Sequence, residues 1–144
     1  MGGRARGALL AAIAIAWLSS LALPAVHLPS GTAYGGFELL RRAWAAPQAG
    51  IFAWYANPLF IGAALLGVLG WMRTAGVLAS VALFLGLTSF AAEPLARASG
   101  AAVPPLTWGI GFYLWLASLA ALCVSMWVFV ARQHFGGISM QTRD

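Results

Sequence analysis

The sequence predicts an all-α fold: an integral membrane four-helix bundle with antiparallel neighbouring helices and a short amphipathic interfacial helix between helices 1 and 2. Composition is the first reason, because 62% of the 144 residues are hydrophobic and only 8% are charged, whereas a soluble domain carries about 25% charged residues. The second reason is that four stretches contain no Asp, Glu, Lys or Arg, at residues 7–37, 43–72, 74–92 and 98–131. Each stretch can hold the roughly 20 apolar residues that cross a bilayer. Backbone in lipid becomes helical because it must satisfy its own hydrogen bonds.

The first span is predicted at residues 8–23 and ends at Pro24. Small residues recur every four positions along it: Ala8, Ala12, Ala16 and Ser20. Such a seam of small side chains lets another helix approach closely. Arg4 and Arg6 before an apolar run are also typical of a secretory signal, but a proline within the candidate cleavage sequence, residues 22–25, disfavours cleavage. We therefore expect this segment to be retained as a span.

The connection between the first two spans has two parts. Residues 27–36 are rich in Pro, Gly, Ser and Thr, which predicts a loop. Residues 36–46 have a helical pattern that puts apolar and charged side chains on different faces: Phe37, Leu40 and Trp44 on one, Glu38, Arg41 and Arg42 on the other. This pattern fits an amphipathic helix lying in the membrane interface, and it fits equally well a helical turn packed on the spans.

The second span is predicted at residues 49–71 and is interrupted by Asn57-Pro58. Proline removes a backbone donor and clashes with the carbonyl four residues earlier, which belongs to Trp54. Two alternatives follow. Either the helix kinks at this point, or it begins here with Asn57 as N-cap and Pro58 as its first helical residue.

The third and fourth spans are predicted at residues 74–92 and 106–131. The turn before residue 74 is so short that spans 2 and 3 form an antiparallel hairpin. Glu93-Pro94 ends the third span. The fourth span carries a heptad stripe of small residues, which suits a close helix crossing: Gly111, Ser118 and Ser125. Aromatic residues near the span ends predict two interfacial belts: Trp54, Tyr55, Trp108, Tyr113 and Trp115 on one side, Trp71 and Trp127 on the other.

Orientation and localisation follow from the arginines, since the chain has no lysine. Placing both termini in the cytoplasm puts five of the eight arginines inside, in agreement with the excess of positive charge on that side of membrane proteins. The inside set is Arg4, Arg6, Arg73, Arg132 and Arg143, and the outside set is Arg41, Arg42 and Arg97. The composition, rich in Ala and Arg without Lys, favours a bacterial inner membrane.

Several function classes lack the residues they need. The chain has two histidines, His27 and His134, and one cysteine, Cys123. Both histidines lie outside the predicted spans, so a haem held between helices by two histidines is excluded, and the cysteine count excludes a zinc or iron–sulfur cluster. We therefore expect no cofactor and no metal. The arginines sit singly or in pairs at helix ends rather than in a patch, so nucleic acid is not an expected partner.

The remaining polar groups converge on the predicted outer side, where they form a candidate polar site: His27, Glu38, Arg42, Asn57 and Glu93. If Asn57 caps a broken helix, free N–H groups would face an outer cavity, as in ligand sites built from broken helices. The alternative is a purely structural role, in which Asn57 hydrogen-bonds the backbone that Pro58 leaves unpaired. Likewise, Glu93 is a solvated interfacial carboxylate or a neighbour of Asn57, and His27 is most simply a loop residue.

Two main hypotheses about function remain open. The first is an accessory or interaction subunit of a membrane complex, without catalysis of its own, whose partners are the lipid bilayer and either another membrane protein or a second copy. The alternative is a homo-oligomeric channel or transporter for a small neutral or weakly polar solute. A lipid-modifying enzyme that uses Glu38, Glu93 and His27 is a third hypothesis, which lacks a nucleophile motif and a metal site.

Overall fold

The computed structural model describes residues 3–42, 52–91 and 107–138, which are mostly helical. Within these ranges the α-helices are α1 (Gly3–Ala22), α2 (Gly36–Arg42), α3 (Ala56–Leu69), α4 (Met72–Leu87) and α5 (Ile110–Ile138). A 3-10 helix at Ala53–Tyr55 leads into α3, and another at Thr88–Ala91 extends α4. The three strands are β1 (Pro24–His27), β2 (Ala33–Gly35) and β3 (Thr107–Trp108).

The long helices pack as a sequence of neighbours in which α4 contacts α3 and α5, and α5 also contacts α1. Their buried faces form one apolar core, with Leu10, Ile13 and Trp17 from α1, Phe60 and Ala63 from α3, Ala75, Ala79 and Ala82 from α4, and Leu119, Leu122 and Met126 from α5. Small side chains on α3 and α4 permit close packing. A Cβ on Gly86, for example, would lie 2.7 Å from Cδ1 of Leu119. The main contacting pairs, α1–α5, α3–α4 and α4–α5, run antiparallel, because the ends of α1 and α4 meet the beginnings of α3 and α5 around one cavity.

In the part of the chain that the structure describes, three helices are long and apolar enough to cross a membrane: Gly3–Ala22, Met72–Ala91 and Ile110–Gln133. The remaining apolar helix, Ala53–Leu69, is shorter. Its α-helical part has 14 residues, or about 21 Å at 1.5 Å per residue. The predominantly helical character of the chain is thus confirmed, and three of the four predicted spans have a helix of spanning length.

A small antiparallel sheet departs from the predicted all-α architecture. Its strand order is β2-β1-β3, and Val26 in β1 pairs with Tyr34 on one side and with Trp108 on the other. Residues 27–36, predicted as a loop, instead form a hairpin whose turn is closed by a 2.9 Å bond from the N–H of Leu28 to the carbonyl of Thr32. Gly31 supplies the left-handed conformation (φ +82°) that this turn requires. The strands have only four, three and two residues, which is too short for an alternating pattern to be recognised.

The start of α3 decides between the two alternatives for Asn57-Pro58. The helix begins at this place rather than passing through it as a kink, but its first residue is Ala56 and Asn57 is not its N-cap. The 3-10 helix feeds directly into it, and the N–H of Ala56 is bonded back to the carbonyl of Ala53. Pro58 is therefore the third residue of α3, within the first turn, where a missing N–H is tolerated.

Candidate functional site

A cavity of about 370 Å³ lies where α1 and α4 end and α3 and α5 begin. Its volume falls in the range of small-molecule sites. The sheet, α2 and the 3-10 helix before α3 contribute the rest of its described lining. Most of its lining is apolar: Leu21, Ala25, Val26, Leu28, Leu39, Leu40 and Ala53, with the aromatic residues Tyr34, Trp54, Trp108, Phe112 and Trp115. Ser20, Asn57 and Ser89 add polar atoms to the wall.

Asn57 joins three helices beside this cavity. Its Oδ1 accepts a 2.9 Å hydrogen bond from Nε1 of Trp115 in α5 and a 3.2 Å bond from Nε1 of Trp17 in α1. Its Nδ2 donates to the carbonyl of Trp54 at 3.2 Å. That carbonyl is the one that an N–H at Pro58 would have paired within a helix. Asn57 therefore replaces the donor that proline lacks. This is the structural role given as the alternative to a ligand site.

Aromatic rings form one wall of the cavity. Trp108 stacks on Phe112 with ring centroids 4.1 Å apart, and the centroids of Phe112 and Trp115 are 5.7 Å apart. Phe112 and Trp115 fall on one face of α5 because their spacing matches the helical repeat, whereas Trp108 belongs to β3. On the opposite wall, Nε1 of Trp54 donates to the carbonyl of Leu40 at 2.9 Å and so ties α2 to the 3-10 helix.

The polar atoms around the cavity are largely engaged with one another. Ser20 donates its hydroxyl to the carbonyl of Trp17 at 2.6 Å. Over the described ranges, every buried side-chain nitrogen or oxygen has a hydrogen-bond partner. A site of this kind offers ring faces and aliphatic surface rather than charge, so it suits an uncharged, mainly apolar ligand.

The predicted outer polar site is only partly assembled. Asn57 lines the cavity, whereas His27 and Glu38 are absent from its described lining. His27 is exposed at the end of β1, with Nε2 lying 3.1 Å from where a Cβ of Gly109 would be. Arg42 is the last residue of α2, and Glu93 lies outside the described residues.

The inward face of α2 differs in one respect from the predicted amphipathic pattern. Gly36, Leu39 and Leu40 line the cavity, whereas Phe37, which was expected beside Leu40, is 63% exposed. Gly36 explains why Phe37 does not face inward. A Cβ at position 36 would lie 2.6 Å from the carbonyl oxygen of Ser20. The close approach of α2 to the end of α1 therefore turns Phe37 outward. Trp44 lies outside the described residues.

The two small-residue seams differ in burial. In α5, Gly111 and Ser118 are buried and Ser125 is half-buried, so this seam packs within the protein. In α1, Ala8 and Ala12 are exposed and Ala16 is half-buried. The buried residues of α1 are Leu10, Ile13, Trp17 and Ser20, so only the last residue of the predicted seam is buried. A spacing of four residues drifts by about 40° per step around a helix, so the alanine seam starts on the outer face and reaches the core only at its end.

Sequence reasoning missed the tryptophan partners of Asn57. The sequence assigns Trp115 to an interfacial belt, and it gives no role for Trp17. The partners lie 40 and 58 residues from Asn57 along the chain, so no local pattern connects them. The single tryptophan inside the apolar run of α1 indicates that a polar partner lies nearby, because a buried indole N–H needs an acceptor.

Two further comparisons concern groups that could bind a metal and similarity to known proteins. Within residues 3–42, 52–91 and 107–138, no three His, Cys, Asp or Glu residues are grouped so that they could hold a metal ion. No protein-family model matches the chain, and no curated protein or solved structure is significantly similar to it. The residues and their geometry are therefore the basis for a functional proposal.

Proposed function

We propose that this protein is a multi-pass membrane protein that acts as an accessory or interaction subunit of a membrane complex and catalyses no reaction of its own. The observation that carries the proposal is the outer face of α1, where Ala8 and Ala12 are exposed while the opposite face packs on α5. Association of helices in lipid depends on close packing at small residues. An exposed seam of this kind suits a helix from another subunit or from a second copy.

Membrane insertion through four helices is supported by the path of the chain. Ser20, near the end of α1, lines the aromatic cavity, whereas Met72, the first residue of α4, lines a pocket at the other end of the helices. The chain must therefore return from one end to the other between them, and α3 is the segment that does so. If α1 and α4 both cross, α3 crosses as well, and a short span is accommodated by tilt or local thinning of the bilayer.

The orientation we propose places both termini in the cytoplasm of a bacterium, with the protein in the inner membrane. Among the described residues, Arg4, Arg6, Arg73 and Arg132 are at the end where α1 begins, and Arg41 and Arg42 are at the end with the cavity. The excess of arginine marks the cytoplasmic side of an inner-membrane protein.

Purification in a mild detergent, followed by identification of stoichiometric partners, tests the accessory role. We expect Ala12→Leu to release the partner, because a larger side chain prevents close approach at the seam. Ala11→Leu is the matched control, since Ala11 is also an exposed alanine of α1 but lies about 100° from Ala12 around the helix. A partner retained equally by both variants, or a protein that is a lone monomer in its native membrane, would contradict the proposal.

A second candidate is transport of a small neutral or weakly polar solute by a homo-oligomer, and the 370 Å³ cavity beside the start of α3 is the observation that favours it. The test is solute flux into liposomes containing the purified protein. Ala53→Trp would fill the cavity and should reduce flux, whereas Ala11→Trp, on the outer surface of α1, should not. Absence of flux in the wild type, or equal flux in all three proteins, removes this candidate.

A further inference from the structure

Ser89, in the wall of the aromatic cavity, carries a hydroxyl that takes no part in the hydrogen bonds described above. The residue is 7% exposed and lies in the 3-10 helix that extends α4. Within the described part of the chain its Oγ has no hydrogen-bond partner, whereas Oγ1 of Thr88 donates to the carbonyl of Leu85 at 2.6 Å. Every fully enclosed side-chain nitrogen or oxygen in that part is paired. The Oγ of Ser89 therefore opens onto accessible space, and the cavity is the space that Ser89 lines.

Contacts of neighbouring residues place Ser89 beside the aromatic wall. A Cβ on Gly86, three residues earlier, would lie 3.3 Å from Cη2 of Trp115. The ring of Phe90, the next residue, is edge-on to the ring of Phe112, with centroids 5.2 Å apart. Ser89, Phe112 and Trp115 therefore line the same part of the cavity.

The lining favours a ligand without charge. No Asp, Glu, Lys or Arg belongs to its described residues, and the amide of Asn57 and the indole N–H groups of Trp54 and Trp115 are bonded to the protein. A charged group moved from water into such surroundings loses hydration and gains no counter-charge. A neutral hydroxyl or carbonyl group, in contrast, can form a hydrogen bond with the hydroxyl of Ser89.

Exposed apolar side chains surround the same end of the helices. They lie on α2, on or beside the two 3-10 helices, and at the start of α5: Phe37, Phe52, Tyr55, Phe90, Ile110 and Tyr113. In a protein inserted in a membrane, such side chains face lipid or its interface. Neutral amphiphiles concentrate there because the burial of each methylene group is favourable. The membrane is therefore the nearest source of a ligand for this cavity.

We propose that the aromatic cavity binds a neutral single-chain amphiphile of the membrane, whose hydrocarbon chain packs on Phe112 and Trp115 and whose hydroxyl or carbonyl group bonds to Ser89. A single chain fits better than two, because 370 Å³ is near the lower limit of small-molecule sites. This inference rests on the membrane insertion proposed above. It requires neither a protein partner nor flux through a homo-oligomer.

Photo-crosslinking of the full chain in phosphatidylcholine nanodiscs tests the proposal. The probes are dodecanol, dodecane and dodecanoate, each with the same diazirine in mid-chain, and mass spectrometry identifies the labelled peptide. We expect dodecanol to label the start of α5 saturably and to bind more tightly than dodecanoate. Ala53→Trp, which fills the cavity, should abolish saturable labelling, whereas Ala11→Trp on the outer surface of α1 should not.

Ser89→Ala separates a bond to the ligand from an effect on the shape of the cavity. Loss of one hydrogen bond should weaken dodecanol roughly fivefold and leave dodecane unchanged, since dodecane has no polar group. Ser118→Ala is the matched control, because Ser118 is also a buried serine but is absent from the described lining and donates to the carbonyl of Trp115. Circular dichroism of each variant verifies that the helices remain folded.

The outcomes separate the alternatives. Equal weakening of dodecanol and dodecane by Ser89→Ala would overturn the bond to Ser89, and tighter binding of dodecanoate would overturn the neutral class of ligand. Saturable labelling that survives Ala53→Trp would place the ligand elsewhere. A protein that enters nanodiscs but shows no saturable labelling would contradict the cavity ligand alone, whereas a protein that cannot enter them would contradict the proposed membrane insertion as well.

Discussion

Asn57 shows how one polar side chain can compensate for a proline and link helices at the same time. Its amide fills three hydrogen-bonding roles, to Trp17, Trp54 and Trp115. Interhelical hydrogen bonds in membrane proteins average about 0.6 kcal/mol, but a buried donor left without an acceptor costs about 1–3 kcal/mol. The larger effect of Asn57 is therefore to prevent two indole N–H groups and one carbonyl from remaining unpaired.

Asn57→Leu should destabilise the protein by about 2–3 kcal/mol, because it removes the acceptor of both indoles and the donor to Trp54. Trp115→Phe keeps a ring at the same place and removes one donor, so we expect a loss of about 1 kcal/mol. The double variant should lose less than the sum, since both changes affect the same bond. Reversible unfolding in mixed micelles, followed by circular dichroism, measures these free energies. A change below about 0.5 kcal/mol in Asn57→Leu would contradict this assignment.

Part of this residue-scale detail could be predicted from the sequence. The Asn-Pro pair marks where backbone hydrogen bonding is interrupted, and chemistry requires a substitute donor near the carbonyl of Trp54. The two indole donors could not be predicted, because they come from α1 and α5 and meet Asn57 only after those helices pack. The same limit applies to Gly36 and Gly109, which are close to the backbone of Ser20 and Pro24 in the folded chain.

At the scale of elements, the hairpin of α3 and α4 depends on the way α3 ends. Gly70 has φ +91°, the N–H of Trp71 bonds to the carbonyl of Leu66 at 2.9 Å, and the N–H of Gly70 bonds to the carbonyl of Gly67 at 3.3 Å. These bonds define a Schellman motif, which satisfies the last carbonyls of a helix with a left-handed residue. The next helix begins at Met72, so the chain reverses within two residues.

Gly70→Ala should therefore cost about 1 kcal/mol, because a side chain disfavours the left-handed conformation that the motif needs. A steric clash does not contribute to this cost, since a Cβ at this position would have nothing within 4 Å. Gly7→Ala is the matched control: its Cβ also meets nothing within 4 Å, and alanine in a helix is intrinsically more favourable than glycine. Unfolding midpoints in micelles should move in opposite directions for the two variants. A shift of the same sign and size in both would exclude the conformational explanation.

Elements with a strong apolar pattern were the ones that the sequence predicted well. α1, α4 and α5 overlap most of their predicted spans, but α1 begins five residues earlier than predicted and α5 ends seven residues later. The sheet was missed because strands as short as Thr107–Trp108 have no periodicity, and their pairing depends on residues about 80 positions apart, such as Val26 and Trp108. The four-residue repeat of small side chains on α1 did not predict the burial of that helix, which follows Leu10, Ile13 and Trp17.

Considered as a whole, the molecule has two unlike ends. One carries the sheet, α2 and the aromatic cavity, and the other carries Arg4, Arg6, Arg73 and Arg132. Such polarity is expected of a protein whose ends face different leaflets. The sequence indicated the uneven distribution of arginine, but not that a sheet would close the opposite end.

Accessibility of single cysteines tests this whole-molecule arrangement. Cys123→Ala gives a cysteine-free background, into which Ser30→Cys, Gly3→Cys and Trp71→Cys are introduced separately. Ser30 is exposed in the turn between β1 and β2, Gly3 begins α1, and Trp71 lies between α3 and α4. We expect a membrane-impermeant maleimide to label Ser30→Cys in intact bacterial cells, and to label the other two only after the cells are permeabilised. The reverse pattern would mean that the orientation is inverted. Labelling of Trp71→Cys together with Ser30→Cys would place both ends of α3 on one side of the membrane, and it would leave α3 unable to serve as the fourth crossing.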